Sequence, residues 1–254
     1  MMAPKSADAQ QHASSIWREA ATVSNYLDTS RQAIPLAAEQ IDAMFRVIAA
    51  FGGPTRTALD VGAGDGAAAA AVAERFSVER ITLVDYSLPM LQRAIQRFQG
   101  GPHLVDVIEA DLAHTAWLDE LPGDAPEYDL VVSRYAVHHL TDRRKRDLYA
   151  ELYERMNPGG LFFNIEHVSS VSPVYSAIFD DLIIEGMVAT SGTGQTLAEM
   201  TAAYHGRYDA ESNILAPADA QCDWLRDTGF VDVDVVMKVF ELAVIVARRS
   251  DSTR

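Results

Sequence analysis

The 254-residue chain predicts an α/β fold. It is a doubly wound, largely parallel seven-stranded sheet that closes with an antiparallel hairpin and carries a helical lid after its fifth strand. Three observations predict it. Short apolar runs alternate with segments of helical periodicity, the pattern of a parallel sheet covered by helices on both faces. The first run leads into Ala58-Leu59-Asp60-Val61-Gly62-Ala63-Gly64-Asp65-Gly66. There an acid and three alternating glycines precede an alanine-rich segment, which reads as strand, tight turn, helix. Near the C-terminus, Val231 to Val239 and Phe240 to Ala247 follow each other with no helix between them, so they must pair antiparallel.

The elements follow in order. A helix is expected over about 16–27 and another over 36–50, where Ile41, Met44, Phe45 and Ile48 recur at helical spacing and Gly52-Gly53-Pro54 stops the run. Strands are expected at 56–61, 80–85, 104–109, 128–134 and 160–167, with helices at 66–76, 87–98 and 141–156. Thr141 caps the last helix, Leu148, Leu152 and Met156 form its buried stripe, and Asn157-Pro158-Gly159-Gly160 ends it. Residues 168–216 break the alternation. They hold a helix from Pro173 to about Ala189, capped by Ser172, a Ser-Gly-Thr-Gly break at 191–194, and a shorter helix over about 195–206. In an open α/β sheet, ligands bind beyond the carboxyl ends of the strands, so an insertion after the fifth strand covers the ligand face. Tyr175, Phe179, Met187, Met200, Tyr204 and Tyr208 either line an apolar ligand pocket there or dock the lid. For docking, Tyr175, Phe179, Leu182 and Ile183 form the stripe. A last helix runs from Pro217 to Asp227 before Gly229.

Composition excludes several classes. No window is long and apolar enough to span a membrane, and residues 1–15 are polar without a signal core, so a cytoplasmic location is expected. One cysteine, Cys222, excludes an internal disulfide and a cysteine-based zinc cluster. A net charge of −15 argues against a broad phosphate-binding surface. Arg143 to Arg146 is the only dense basic run and reads as a solvated helix turn. No metal site is expected: His138 and His139 are adjacent and point apart, and Asp180, Asp181 and Glu185 read as a solvated face.

The strand ends carry the chemistry. The pattern at 60–66 departs from the dinucleotide fingerprint G-x-G-x-x-G, because Asp60 stands where an apolar residue is usual and Ala67 takes the last glycine position. An acid there suits a ligand with a positive charge. Asp85, about 20 residues on, can take both hydroxyls of a ribose or simply cap a helix. Asp111 can accept from an adenine amino group or be a loop acid. Met90 and Leu112 can sandwich the base or belong to the core.

Taken together, Asp60-x-Gly62-x-Gly64-x-Gly66, Asp85, Asp111, Tyr128-Asp129-Leu130-Val131-Val132-Ser133 and Asn157-Pro158-Gly159-Gly160 resemble the class I S-adenosylmethionine-dependent methyltransferases over about residues 16–248. The resemblance implies a Rossmann-like fold and S-adenosyl-L-methionine as methyl donor, with S-adenosyl-L-homocysteine as product. It implies that Gly62 and Gly64 hold the methionine moiety with Asp60 near its ammonium group. Asp85 and Tyr86 would serve the ribose, Asp111, Leu112 and Met90 the adenine, and Ser133 would belong to the same site. Tyr26-x4-Arg31-x2-Ile34-Pro35 resembles the N-terminal cap of a subgroup that includes relatives acting in tRNA wobble-uridine carboxymethylation, in which the Tyr and Arg reach the methionine carboxylate. The chain then divides into a disordered tail (1–15), a helical cap (16–53), an S-adenosylmethionine-binding core (54–167), a lid (168–216), the rest of the core (217–248) and a tail (249–254).

Arg134-Tyr135-Ala136-Val137-His138-His139-Leu140, after the fourth strand, is expected to border donor and acceptor. Tyr135, His138 and His139 are candidate catalytic residues, as are Glu166 and His167 at the end of the fifth strand. His139 also fits a structural role. In-line transfer from a sulfonium relies on positioning and water exclusion and does not require a base. The expected function is methyl transfer to a small apolar or aromatic acceptor, with nucleic acid an unlikely partner and the oligomeric state undetermined. The alternatives are an RNA-modifying or carboxy-S-adenosylmethionine-forming enzyme, a non-catalytic nucleoside-binding module and, least compatible with Asp60, a nicotinamide-dependent oxidoreductase.

Overall fold

The structure, a computed structural model, describes residues 16–28, 30–190, 194–207 and 212–251. The expectations for residues 1–15 and 252–254, for the break at 191–193 and for Tyr208 lie outside the described residues. The N-terminal segment folds as a 3₁₀ turn at Ile16–Arg18, helix α1 (Ala20–Asp28), a second 3₁₀ turn at Ser30–Ala33 and helix α2 (Ala37–Phe51). Then come β1 (Thr57–Val61), α3 (Ala67–Arg75), β2 (Arg80–Asp85), α4 (Leu88–Phe98), β3 (Leu104–Glu109), β4 (Tyr128–Arg134), α5 (Asp142–Arg155) and β5 (Met156–His167). The insertion supplies α6 (Pro173–Thr190) and α7 (Leu197–His205). Helix α8 (Ala218–Thr228) and the strands β6 (Val231–Val239) and β7 (Leu242–Arg248) complete the chain.

The seven strands lie in the order β3-β2-β1-β4-β5-β7-β6. β1 to β5 are parallel, and β7 pairs antiparallel with both β5 and β6. Alternation along each strand divides the core between two faces. Leu59, Val61, Val131 and Phe162 face α5 and α8, whereas Ala58, Leu130, Val132 and Phe163 face α2 and α3. Strand order reverses between β1 and β4, which opens a crevice above their carboxyl ends.

The sequence expectation needs three corrections. First, Asn157 to Gly160 lies inside β5 rather than ending the preceding helix. The register jumps from Tyr128↔Met156 to Leu130↔Leu161, and Gly159, at φ 78°, supplies the left-handed residue of this bulge. Second, the basic run is solvated only in part: Arg143 and Arg146 are exposed, but Arg144 and Lys145 are buried. Arg144 holds both oxygens of Glu151 at 2.7 Å and donates to the Leu112 carbonyl at 2.7 Å. Lys145 is fully buried and donates to the Ile214 carbonyl at 2.5 Å. Third, Tyr175 is 50% exposed, and α6 instead buries Phe179 and Ile184. This helix packs on the Ser30–Ala33 turn so closely that a Cβ on Gly186 would lie 2.8 Å from the Ala33 carbonyl oxygen.

Candidate active site

A cavity of about 550 Å³ occupies the crevice beyond the carboxyl ends of β1, β2, β3 and β4. The N-terminal segment walls one side through Trp17, Tyr26 and Arg31, and the insertion walls another through Phe179, Ile183 and Tyr204.

The glycine turn forms its floor. Gly62, Gly64 and Gly66 all have positive φ, which allows the turn between β1 and α3. A Cβ on Gly62 would collide with the Ala136 methyl group, so bare backbone is required where the two turns meet. Asp60 is buried at the end of β1. Its Oδ2 accepts from the Ala69 N–H at 3.1 Å, and its Oδ1 has no partner. Burial, with help from the nearby Asp85 and Asp65 charges, raises its pKa to about 7.

Asp85 accepts the Gly64 and Ser87 N–H groups, both at 2.8 Å, so the second acid also pins the glycine turn. Burial raises its pKa. Tyr86, Met90, Asp111 and Leu112 line the same end of the cavity, and Asp111 Oδ1 accepts the Ala113 N–H at 2.8 Å. Ser133 does not line it: the hydroxyl donates to the Val61 carbonyl at 2.9 Å and links the two strands. Tyr26 and Arg31 do line it, but the Arg31 guanidinium is paired with Asp65 at 2.7 Å. Arg97 pairs with the same carboxylate. Burial alone would raise the Asp65 pKa, but the two arginines outweigh it and the net shift is downward.

Tyr135, His138, His139 and His167 face the other end. Tyr135 sits at φ 55° and its hydroxyl donates to Gln40 of α2 at 2.7 Å. His138 Nδ1 lies 2.6 Å from Oε1 of Glu166, which also accepts the His167 N–H at 2.7 Å. Glu166 is fully buried behind the histidine and does not reach the cavity wall itself. Burial pushes its pKa up to about 7 and holds that of His138 well below the ordinary imidazole value. His139, held near 3 by burial, is 3.0 Å from the Ser212 hydroxyl. His167 Nε2 is 2.9 Å from Glu241, whose other oxygen accepts from Ser176 of α6 at 2.7 Å. Burial would raise the Glu241 pKa, but hydrogen bonds from His167, Ser176 and Ser170 lower it to about 2.

Trp17, Arg134 and Arg144 are among the lining residues that the sequence analysis did not place in the site. Trp17 Nε1 and Arg134 Nε are buried without a partner, as is Asp60 Oδ1. Arg144 lines the cavity beside Leu112. Arg134 carried a legible signal: it is the one cation in its strand and stands at the carboxyl end. No group of three or more His, Cys, Asp or Glu among the described residues could hold a metal ion. No helix among them is long and apolar enough to cross a membrane.

Sheet order, terminal hairpin and crevice define the Rossmann-like methyltransferase fold. Residues 58–160 match the family model described as methyltransferase domain. An uncharacterized methyltransferase of Mycobacterium tuberculosis is 40% identical over 106 residues, 42% of this chain and 48% of that protein. The chain thus spans about half the length of the curated relatives it matches. A malonyl-acyl-carrier-protein O-methyltransferase of Salmonella typhimurium is 38% identical over 103 residues, 41% of this chain and 36% of that protein. Among solved structures, a Burkholderia thailandensis 1,6-didemethyltoxoflavin-N1-methyltransferase with bound 1,6-didemethyltoxoflavin and S-adenosylhomocysteine aligns with TM-score 0.60. It is 20% identical and covers 99% of this chain and 94% of its own.

Proposed function

We propose that the chain is an S-adenosylmethionine-dependent methyltransferase acting on a small apolar or aromatic acceptor. The observation that carries this reading is the pairing of Asp60 with the glycine turn at one end of a single cavity, and of a histidine backed by a buried carboxylate at the other. The residues fit the donor. The unpartnered Oδ1 of Asp60 suits its ammonium group, and the bare backbone at Gly62 suits close approach of its methionine chain. Asp85 and Tyr86 would serve the ribose, and Met90, Asp111 and Leu112 the adenine. Tyr26 and Arg31 lie against the same cavity, which supports reading residues 16–53 as a cap and α6 with α7 as a lid.

When bound, the donor supplies an electrophilic methyl group whose leaving group is a neutral thioether. The chain's part is to orient the acceptor, exclude water and take a proton where the acceptor has one to lose. Ionised Glu166 can only accept, so His138 donates from Nδ1 and keeps Nε2 unprotonated to receive that proton. Phe179, Ile183 and Tyr204 give this chamber its apolar, aromatic character. The basic residues Arg144 and Lys145, the interior of the only dense basic run, are occupied within the fold, which weighs against an RNA substrate.

The test is incubation with S-adenosylmethionine labelled in its methyl group and fractionated metabolites. Label moving into a small organic fraction supports the reading. Donor binding without transfer to any fraction favours a binding module, and label in tRNA favours the RNA-modifying alternative.

A further inference from the structure

We propose that Arg134 binds the α-carboxylate of the donor's methionine and forms, with Asp60 on the α-ammonium, one receptor for an amino-acid zwitterion. The inference rests on the donor reading above. It assigns to Arg134 a role that the sequence had pointed to Arg31 for.

Strand register carries the geometry. β1 and β4 are parallel neighbours, with Asp60 opposite Val132. Arg134 lies two residues beyond Val132, so its side chain leaves the same face of the sheet as Asp60, one step further out. At roughly 3.3 Å per residue and roughly 4.8 Å between strands, the two Cα atoms are on the order of 8 Å apart. Both side chains line the cavity. Each also carries an unsatisfied buried atom, Oδ1 of Asp60 and Nε of Arg134.

A buried guanidinium nitrogen without an acceptor and a buried carboxylate oxygen without a donor are both costly. They form no ion pair with each other, so neither satisfies the other. A ligand bearing an ammonium and a carboxylate on one carbon satisfies both at once. The Arg134 side chain makes no hydrogen bond or ion pair with the described residues and lies 5.5 Å from the Tyr135 ring, which steadies the guanidinium without using its donors. Arg31, by contrast, is committed to Asp65 at 2.7 Å, alongside Arg97. The cap arginine therefore fastens the N-terminal segment to the glycine turn.

Two ligands separate the roles. S-Adenosylhomocysteine carries the zwitterion, whereas 5′-methylthioadenosine shares its nucleoside and sulfur but lacks it. Calorimetry on the full chain should show Arg134→Met weakening S-adenosylhomocysteine about 10- to 100-fold, the size of a lost charge-assisted hydrogen bond. Affinity for 5′-methylthioadenosine should stay within about two-fold. Arg134→Lys, which keeps the charge and guards against a folding defect in the Met variant, should show a smaller selective loss. Arg31→Met should not discriminate between the ligands. Equal losses for both ligands in Arg134→Met, no loss, or a selective loss confined to Arg31→Met would overturn the assignment. If the unaltered chain binds neither ligand, the donor reading itself fails.

Discussion

His138 and Glu166 behave as a unit, because neither tolerates its charge alone in a buried setting. With Glu166 pushed up to about 7, falling pH protonates it, and its new proton turns towards His138 Nδ1. The imidazole then carries its own proton on Nε2 and cannot act as a base. Turnover should therefore rise with pH through about 7, measured as kcat under saturating donor. His138→Asn should lower kcat by roughly 10² to 10⁴ with donor affinity unchanged, the range typical of a removed acid–base group. Glu166→Gln keeps an acceptor for Nδ1 but no longer titrates, so its smaller loss should come with a flattened pH profile. An unchanged profile in that variant would show that the carboxylate is merely structural. Gly62→Ala tests the floor of the site. Its Cβ meets the Ala136 methyl group at a backbone angle of φ 71°, so donor binding should be abolished and stability should fall by about 1–3 kcal/mol.

At the level of elements, the N-terminal segment and the insertion touch each other as well as the core. The close approach of Gly186 to Ala33 leaves no room for a side chain. Gly186→Leu should therefore push α6 away from the Ser30–Ala33 turn. The expected result is a several-fold rise in the acceptor KM and faster amide exchange in α6, with exchange in β1 and β4 unchanged. The latch at the other end of α6 is Glu241, which joins Ser176 to His167. Helix α5 gives a second case of structure built from charge: its buried Arg144 and Lys145 hold the loop at Leu112 and the segment at Ile214 in place. Breaking such a buried pair from one side leaves an uncompensated charge, so Glu151→Ala should destabilise the fold by about 3–5 kcal/mol in urea unfolding.

For the whole molecule, the two acids with raised pKa values set a pH dependence. Asp60 and Glu166 both titrate near 7 in the fold and near 4 when unfolded. Their contribution to stability is complete below about pH 4 and is lost as pH rises through about 7. Urea midpoints of the ligand-free protein should accordingly carry a component that falls between those values. Donor affinity should run the other way and increase with pH through about 7, because Asp60 must be ionised to meet an ammonium group.

The sequence by itself determined the sheet, the hairpin and the glycine turn that floors the cavity. Those features are local: period-two apolar runs, glycines that alone accept a tight left-handed turn, and an acid at each strand end. Tertiary structure decided what depends on who meets whom. Glu166 and His138 are candidates that stand far apart in the sequence, and only the pairing of β4 with β5 puts the carboxylate behind the imidazole. Arg31 looked able to hold an anion, but the fold gives it to Asp65 and leaves Arg134, which the sequence analysis passed over, without a side-chain partner among the described residues. The basic run read as solvated because composition cannot show that Glu151 and the Ile214 carbonyl wait for Arg144 and Lys145. A charge's role is set by its partners, and partners distant in the chain become neighbours only when the sheet assembles.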